Sequence, residues 1–513
     1  MKKKSSRRRI DVNVDELDRI IDAAMRGPLN EADGRILRVA VHAMAESLAG
    51  QRNTEKTSAV LEPKTPPAAA DTPPEAEKPS RAGHGRNGAD AFTGAAKIAV
   101  AHSTLHSRDS CPACGEGKVY CQKEPAPLIR IIGQAPLKAT VFERERLRCN
   151  ACGEVFTASL PPAAGEEKFD ATAVAMIALL KYGTGMPFHR MERLEAQLGM
   201  PLPAATQWEL MEQAARAIKP ALNELIRQAA QGGVMHNDDT SMRILKLVRN
   251  TDDGRTGVFT SGIVSICASG WKIALYFTGW KHAGENLADV LKRRAAELEA
   301  PIQMCDALSR NTPKLPGLEV LLANCLAHGR RQVVDAAANF PEQCRYVLET
   351  LGRVYQTDAL ARERRLSPES RLLLHQESSA PLMDELHEWM TAQFREHKTE
   401  PNSGLGKAIS YLLRHWPELT LFLRQKGAPL DNNIVERALK KAILHRKNAL
   451  FYKTMNGARV GDLFMSLIHT CELNQVNPFG YLTELLRHSA EVAVRPAAWM
   501  PWNYRPDAAA VAA

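Results

Sequence analysis

The chain has 513 residues, room for three or more domains, and a formal net charge of +9 with six of its first nine residues Lys or Arg, which favours a polyanionic partner over an acidic one. It contains no apolar run of about 18 residues, and the basic start leads into Asp11-Val12-Asn13-Val14-Asp15-Glu16, so the reading is of a soluble, unsecreted protein that does not span a membrane. Its 10 cysteines include two CxxC pairs, a usage that fits a reducing compartment with one metal site better than a disulfide framework.

From residue 11 to about 55, Val14, Leu17, Ile20 and Ile21, then Ile36, Leu37, Val39, Ala40 and Met44, recur at helical spacing, broken at Gly27-Pro28. This predicts two short helices in a basic segment, 1–55. Residues 56–95 are rich in Pro, Ala, Glu, Lys and Gly and read as a flexible linker. Cys111-Pro112-Ala113-Cys114-Gly115 and Cys149-Asn150-Ala151-Cys152-Gly153 follow. Each knuckle aims two thiolates at one point, and four thiolates make a closed tetrahedral Zn²⁺ site. With Leu128–Ile132 and Thr140–Leu147 as hairpin strands between the knuckles, 96–165 reads as a zinc ribbon. Residues 166–230 are helical; the break at Gly199, the turn through Pro201-Leu202-Pro203 and the resumption at Ala205 allow either a helix-turn-helix that enters a DNA groove or plain helix packing.

After Gly232-Gly233 the pattern changes to strands: Val234–Leu247, Gly257–Cys267 and Lys272–Phe277, then a helix over His282–Leu298, then strands Ile302–Leu308 and Val320–Leu326. Three strands, a crossover helix and two more strands give a mixed sheet in the order of the ribonuclease-H-like fold. That core is expected over 231–340, interrupted by a helical insertion at 341–425, and resumed at 426–490, with a tail at 491–513.

In such a sheet the first and fourth strands are neighbours, which brings Asp238 and Asp306 together. Buried ionised carboxylates are costly unless paired or metal-bound, and Mg²⁺ (or Mn²⁺) prefers oxygen ligands. Pro429 stops the preceding segment, Asp431 or Asn432 can cap a helix, and Val435, Ala438, Leu439 and Ala442 mark its buried stripe, with Glu436 at the edge of that stripe and Lys440, Lys441, Arg446 and Lys447 on its exposed sides. Asp238, Asp306 and Glu436 together would hold two divalent ions for in-line phosphoryl displacement. Sequence alone does not choose between Asp238 and Asp239 as the acid that faces them. His328, Arg330 and Arg331 follow the fifth strand, where they can hold a DNA phosphate or form a solvated basic face; Lys440, Arg446 and Lys447 are further phosphate candidates.

Several of these stretches resemble one family. His236-Asn237-Asp238-Asp239-Thr240, His282-Ala283-Gly284-Glu285-Asn286-Leu287, Met304-Cys305-Asp306-Ala307-Leu308, Cys325-Leu326-Ala327-His328-Gly329-Arg330-Arg331 and Leu430-Asp431-Asn432-Asn433 with Glu436-Arg437-Ala438 stand in the order found in DDE transposases of the insertion sequence 66 group. Asp239 stands where that family usually has Glu, and the position aligned with its catalytic Asp is Asp238. The resemblance implies Asp238, Asp306 and Glu436 as a catalytic triad that cuts and joins DNA with Mg²⁺ or Mn²⁺. It implies double-stranded DNA, both element ends and target, as the partner, a homodimer or larger assembly, companion proteins of the same element, and a bacterial cytoplasmic, nucleoid-associated location. The rival readings are a metal-dependent nuclease that does not join, and a DNA-binding regulator with an inert core.

Overall fold

The computed structural model describes residues 97–505, apart from 123–125, 162–163, 166, 248–254, 256, 315–316 and 318, together with Val60, residues 89–91 and Ala95. The helices expected within 11–55 and most of the linker expected at 56–95 lie outside the described residues. The described chain falls into two compact units: a helical one over 328–366 and 373–414, and a larger one holding everything else from residue 89 onward.

The larger unit begins with the two knuckles. Strand β1 (Arg146–Arg148) pairs antiparallel with β2 (Val155–Thr157) around the second, and Ser110 bridges Lys118 around the first. Gly115 and Gly153 adopt φ of 72° and 79°, the left-handed turn that glycine enters without a Cβ penalty. Among the described residues 128–145 form no strand, and Leu128, Ile131 and Ile132 are exposed. The long hairpin expected to join the knuckles is therefore not formed; each knuckle closes on its own local hydrogen bonds, Gly115 N–H to Cys111 O at 2.8 Å and Gly153 N–H to Cys149 O at 3.1 Å.

Helix α1 (Ala171–Ala178), capped by Asp170, runs into a π-helical turn at Leu179–Gly183; α2 (Phe188–Gln197) and α3 (Ala204–Ala229) follow. Met211, Ile218 and Leu225, one heptad apart on α3, have no exposure, so the apolar face of this helix belongs to the core that the sheet shares.

Strands β3 (Val234–Met242), β4 (Val258–Ile266) and β5 (Lys272–Gly279), helix α4 (Ala283–Leu291), strands β6 (Ile302–Cys305) and β7 (Leu321–Asn324) and helix α5 (Leu326–Ala336) come next. The sheet order is β5-β4-β3-β6-β7, with β3, β4 and β5 antiparallel and β3, β6 and β7 parallel. Ile263, Val264, Ile273, Ala274, Leu275 and Tyr276 are all buried, as continuous apolar strands covered on both faces must be. The helical unit is built from α6 (Pro341–Glu363), part of α7 (Pro368–Ser378), α8 (Ala380–Arg395) and α9 (Gly404–Arg414). Buried Val347, Leu351 and Val354 of α6 and Met383, Leu386 and Met390 of α8 supply its core. The chain then returns to the sheet as α10 (Asn433–Ala449), α11 (Met455–Leu473), α12 (Pro478–Arg487) and α13 (Ser489–Val494). Residues 491–505, expected as a tail, pack on this unit: Met500 is buried, and Trp502 stacks on Trp271 at 5.7 Å.

Strand β5 has a partner on one side only, and α11 closes the other. Four polar residues spaced four apart accept from successive outward amides of β5: Thr278 N–H to Asp462 Oδ2 at 2.7 Å, Tyr276 N–H to Ser466 Oγ at 3.0 Å, Ala274 N–H to Thr470 Oγ1 at 3.1 Å and Lys272 N–H to Asn474 Oδ1 at 3.1 Å. A bare sheet edge invites pairing with another chain, and this helix covers it. Burial pushes the Asp462 carboxyl up to about 7 against the pull of its two Thr278 hydrogen bonds. Thr470→Val should leave the Ala274 amide buried without an acceptor and destabilise the protein by about 1–3 kcal/mol, read as a lower denaturant midpoint in urea; an unchanged midpoint would mean that the edge bond contributes nothing.

Candidate active site

The parallel register of β3 and β6 sets the centre of the site. Val234 pairs with Ile302, Met235 with Gln303 and His236 with Met304; the same register carried two residues further puts Asp238 opposite Asp306, just past the end of β6. Asp306 thus stands one residue beyond its strand rather than inside it, in the turn where the sheet opens. Both carboxylates are half-buried. Asn311, in the short 3₁₀ turn Ser309–Asn311, touches both: its side-chain amide donates to Asp306 Oδ1 and lies 3.4 Å from Asp238 Oδ1. The turn is pinned from below, because Asn237 and Gln303 each donate to the Asn311 carbonyl at 2.7 Å.

The third acid arrives on α10. Asn432, fully buried at the start of this helix, ties it to β3: its side-chain oxygen is 3.0 Å from His236 Nδ1, and its amide donates to Asn237 O at 3.1 Å. Its backbone N–H points at Cys325 Sγ, 3.2 Å away. Burial holds the His236 imidazole down at about 4, so this contact is between neutral groups. Asp431 Oδ1 accepts from Asn433 N–H at 3.1 Å and so braces the helix start. Tyr276 O–H donates to Ala438 O at 2.7 Å, and Gly262, the β4 partner of Asp238, keeps the helix close: a Cβ there would lie 3.0 Å from Leu439 and 3.3 Å from Val435. Glu436 follows one turn after Asn432, half-buried on this docked helix.

Electrostatics record the meeting of these acids. The Asp238 carboxyl is pushed up to about 7, first by burial, then by the charge of Asp306, with smaller contributions from Asp239 and Glu436 and an opposing hydrogen bond from Asp239 N–H at 2.8 Å. Alternation along β3 turns Asp239 to the other face, beside α4. There its carboxylate, 1% exposed, lies 2.8 Å from His282 Nδ1 and 3.4 Å from the Arg310 guanidinium. Asp238 is therefore the member of the pair that faces Asp306 and Glu436, and Asp239 is the member that is ion-paired. Asp238 and Asp306 take their hydrogen bonds from neutral amides, and with Glu436 near enough for its charge to act on Asp238 they are oxygen donors of the kind a divalent cation takes, although among the described residues the three do not bring their oxygens within 4.8 Å of one another.

The basic residues fall into separate places. Lys440 and Lys447 are exposed and lie four and eleven positions after Glu436, on the same face of α10. Arg446 instead holds the end of β3, donating to Thr240 Oγ1 at 3.0 Å and to Ser241 Oγ at 2.7 Å. Lys441 binds Glu472 at 2.8 Å. His328, Arg330 and Arg331 lie on α5 within the helical unit.

At the knuckles, the backbone amides of Gly117 and Glu116 and the Cys111 thiol hold the Cys114 thiol below its ordinary range; those of Cys152 and Ala151 and the Cys152 thiol do the same for Cys149. Among the described residues no three of the sulfurs of Cys111, Cys114, Cys149 and Cys152 lie within 4.8 Å of one another. Gln303 and Asn311 carried no signal in the sequence; Asn237 stood inside a recognisable motif without a role, and Asn432, expected as a possible helix cap, makes no side-chain cap bond and instead ties the helix to β3.

Comparison with known proteins gives a consistent picture. The model of the family described as "Transposase IS66 family" matches residues 167–460, which contain all three acids and exclude the knuckles. The chain is 28% identical over 408 residues to the uncharacterized protein y4jD of Sinorhizobium fredii (strain NBRC 101917 / NGR234), covering 77% of this chain and 78% of that one. It is 26% identical over 423 residues to the uncharacterized protein y4hP of the same organism, covering 78% and 74%.

A carboxyl raised from its unfolded value near 3.9 to about 7 keeps its proton in the folded state while the unfolded chain has released it. Wild-type stability is therefore lost as pH rises through that window, and the full cost is present above it. Metal-free Asp238→Asn should melt higher than metal-free wild type at about pH 8, by an amount on the order of a few kcal/mol, with the gap closing as pH falls below about 4. Thermal unfolding in a chelator across this range checks it; a gap that does not depend on pH would refute the crowding of charge at Asp238.

Proposed function

The chain belongs to the IS66 transposase family, and on that premise we propose that it is a DNA transposase in which Asp238, Asp306 and Glu436 act together on phosphodiester bonds. Family membership itself gives a transposase role, DNA as the partner and a divalent-metal dependence in general. No described helix is long and apolar enough to cross a membrane. The observation that carries the finer reading is the Asp238–Asp306 pair at the open end of two parallel strands, with Glu436 close enough for its charge to raise the Asp238 carboxyl further. The sheet order, three antiparallel strands followed by two parallel ones on the far side of the first, supports a ribonuclease-H-like core.

Asp238, Asp306 and Glu436 would hold Mg²⁺ or Mn²⁺, which when bound supplies Lewis acidity to the phosphate oxygens. The chain's own residues do the rest. Asn311 fixes the two aspartates relative to each other, Asn432 seats the helix that bears Glu436, and Lys440 and Lys447 set positive charge along the same helix face for the DNA backbone. In the first reaction water attacks the phosphorus at an element end, one P–O bond forms and one breaks, and a 3′-hydroxyl leaves. In the second, that 3′-hydroxyl attacks a phosphodiester of target DNA, again exchanging one bond for another, so joining needs no external energy source. Holding two ends calls for a dimer or larger assembly, acting with companion proteins of the element at the nucleoid.

Cleavage and joining of labelled element ends in Mg²⁺ or Mn²⁺ test this reading. Asp306→Asn and Glu436→Gln should each lower both products by at least about 10³-fold while DNA binding persists. Cleavage without joined product would make the protein a nuclease, and undiminished product in both variants would remove these acids from the chemistry.

A further inference from the structure

The turn that carries Asn311 has a second side. Asn311 points at Asp238 and Asp306, whereas its neighbours Ser309, Arg310 and Thr312 line a separate open cavity of about 560 Å³ between this turn and α4. Five cations face that cavity, Arg255, Lys281, Lys292, Arg310 and Lys314, against two carboxylates, Glu285 and Asp289. The carboxylates are shared out: Arg255 lies 2.9 Å from Glu285, while Lys281 and Lys292 both bind Asp289. Arg310 stays 44% exposed while it reaches Asp239, and Lys314 has no ion-pair partner among the described residues. Positive charge on the cavity wall therefore exceeds negative by three, and by two once Asp239, which Arg310 reaches, is counted, beside two hydroxyls able to donate to oxygen.

We propose that this cavity binds the phosphodiester backbone of DNA, holding phosphates of the strand that continues past the one presented to the acids. Excess positive charge selects an anion, and the open, solvated wall suits a strand laid across it better than an enclosed small molecule. The shared turn explains the placement: Arg310 is next in sequence to Asn311, which touches the carboxylates, and Lys314 follows three positions after it. This inference rests on the reading of the acids as a DNA-processing site. It adds a second, non-catalytic contact that the acids do not need in order to bind metal.

The test uses the full chain and a mixed-sequence DNA duplex, with the dissociation constant measured by fluorescence anisotropy between about 50 and 200 mM salt. The double variant Lys281→Gln, Lys314→Gln is compared with wild type and with a control, Lys219→Gln, Arg487→Gln, that removes two exposed cations elsewhere on the same unit. If both cavity lysines contact phosphates, the slope of log affinity against log salt should fall by about two in the cavity variant and stay near the wild-type value in the control. Equal loss in both variants would reduce the effect to net charge and overturn the proposal. An unchanged slope in the cavity variant, with wild type binding normally, would overturn it while leaving the transposase reading intact; no DNA binding by wild type at all would bring down both. Calorimetry with inorganic pyrophosphate supplies the last arm: saturable binding lost in the cavity variant, with the duplex slope unmoved, would make this a small-anion pocket and refute the DNA contact.

Discussion

Alternation of side chains along one strand is the constraint from which the site follows. On β3, consecutive aspartates must point to opposite faces, and the two faces receive them differently. Asp239 meets His282 and Arg310 and is neutralised. Asp238 meets Asp306 and the helix bearing Glu436, and its hydrogen-bond donors are an amide side chain and a backbone N–H. A slip of one residue in the β3 register would exchange these environments. The long pairing with β4, from Val234–Ile266 to Met242–Val258, forbids that slip. The negative potential on one face and the neutral pair on the other are thus consequences of a single register.

Asp238 and Asp306 are held by uncharged donors, and the fold uses amides. Asn237, Gln303, Asn311 and Asn432 form a connected group beneath and beside the carboxylates, with Gln303 also donating to Asn237 Oδ1 at 2.8 Å. Amides fix positions through directional bonds without cancelling charge, which lysine or arginine would do. The same economy of charge appears at the far edge of the sheet, where hydroxyls, one amide and one carboxyl of α11 satisfy the β5 backbone. Closing that edge confines further pairing to the β7 side, while α10 and α4 both meet β3 and β4, with Asp239 turned toward α4.

Much of the sheet was legible because its strands are apolar runs of strand length, and the 68-residue offset between Asp238 and Asp306 equals the offset between the paired residues Val234 and Ile302. The helix at 433–449 was legible from its stripe and from Pro429. Other features were hidden for physical reasons. Asp462, Ser466, Thr470 and Asn474 have the spacing of a solvated helix face, and only the tertiary structure turns that face onto an edge strand. Asn311 sits in a one-turn 3₁₀ segment, too short for any periodicity to mark. Arg446 looked like a phosphate ligand because charge in a sequence says nothing about the carbonyl and hydroxyls it meets in space. The two CxxCG turns were legible as two knuckles, but apolar residues alone do not specify pairing, and those at 128–145 form no hairpin between them.

The arrangement of charge also bears on the order of events. Three carboxylates in a half-buried cluster repel a phosphate as strongly as they attract a cation, so DNA cannot settle against them until their charge is compensated. The exposed lysines of α10 lie on its Glu436 face, and the cations around Ser309–Thr312 line the separate cavity. On the proposed reading they would hold DNA in a metal-free state without placing a phosphate at the acids. On that reading backbone binding and presentation of the reacting phosphate would be separable, the first governed by exposed cations and monovalent salt, the second by whatever neutralises Asp238, Asp306 and Glu436.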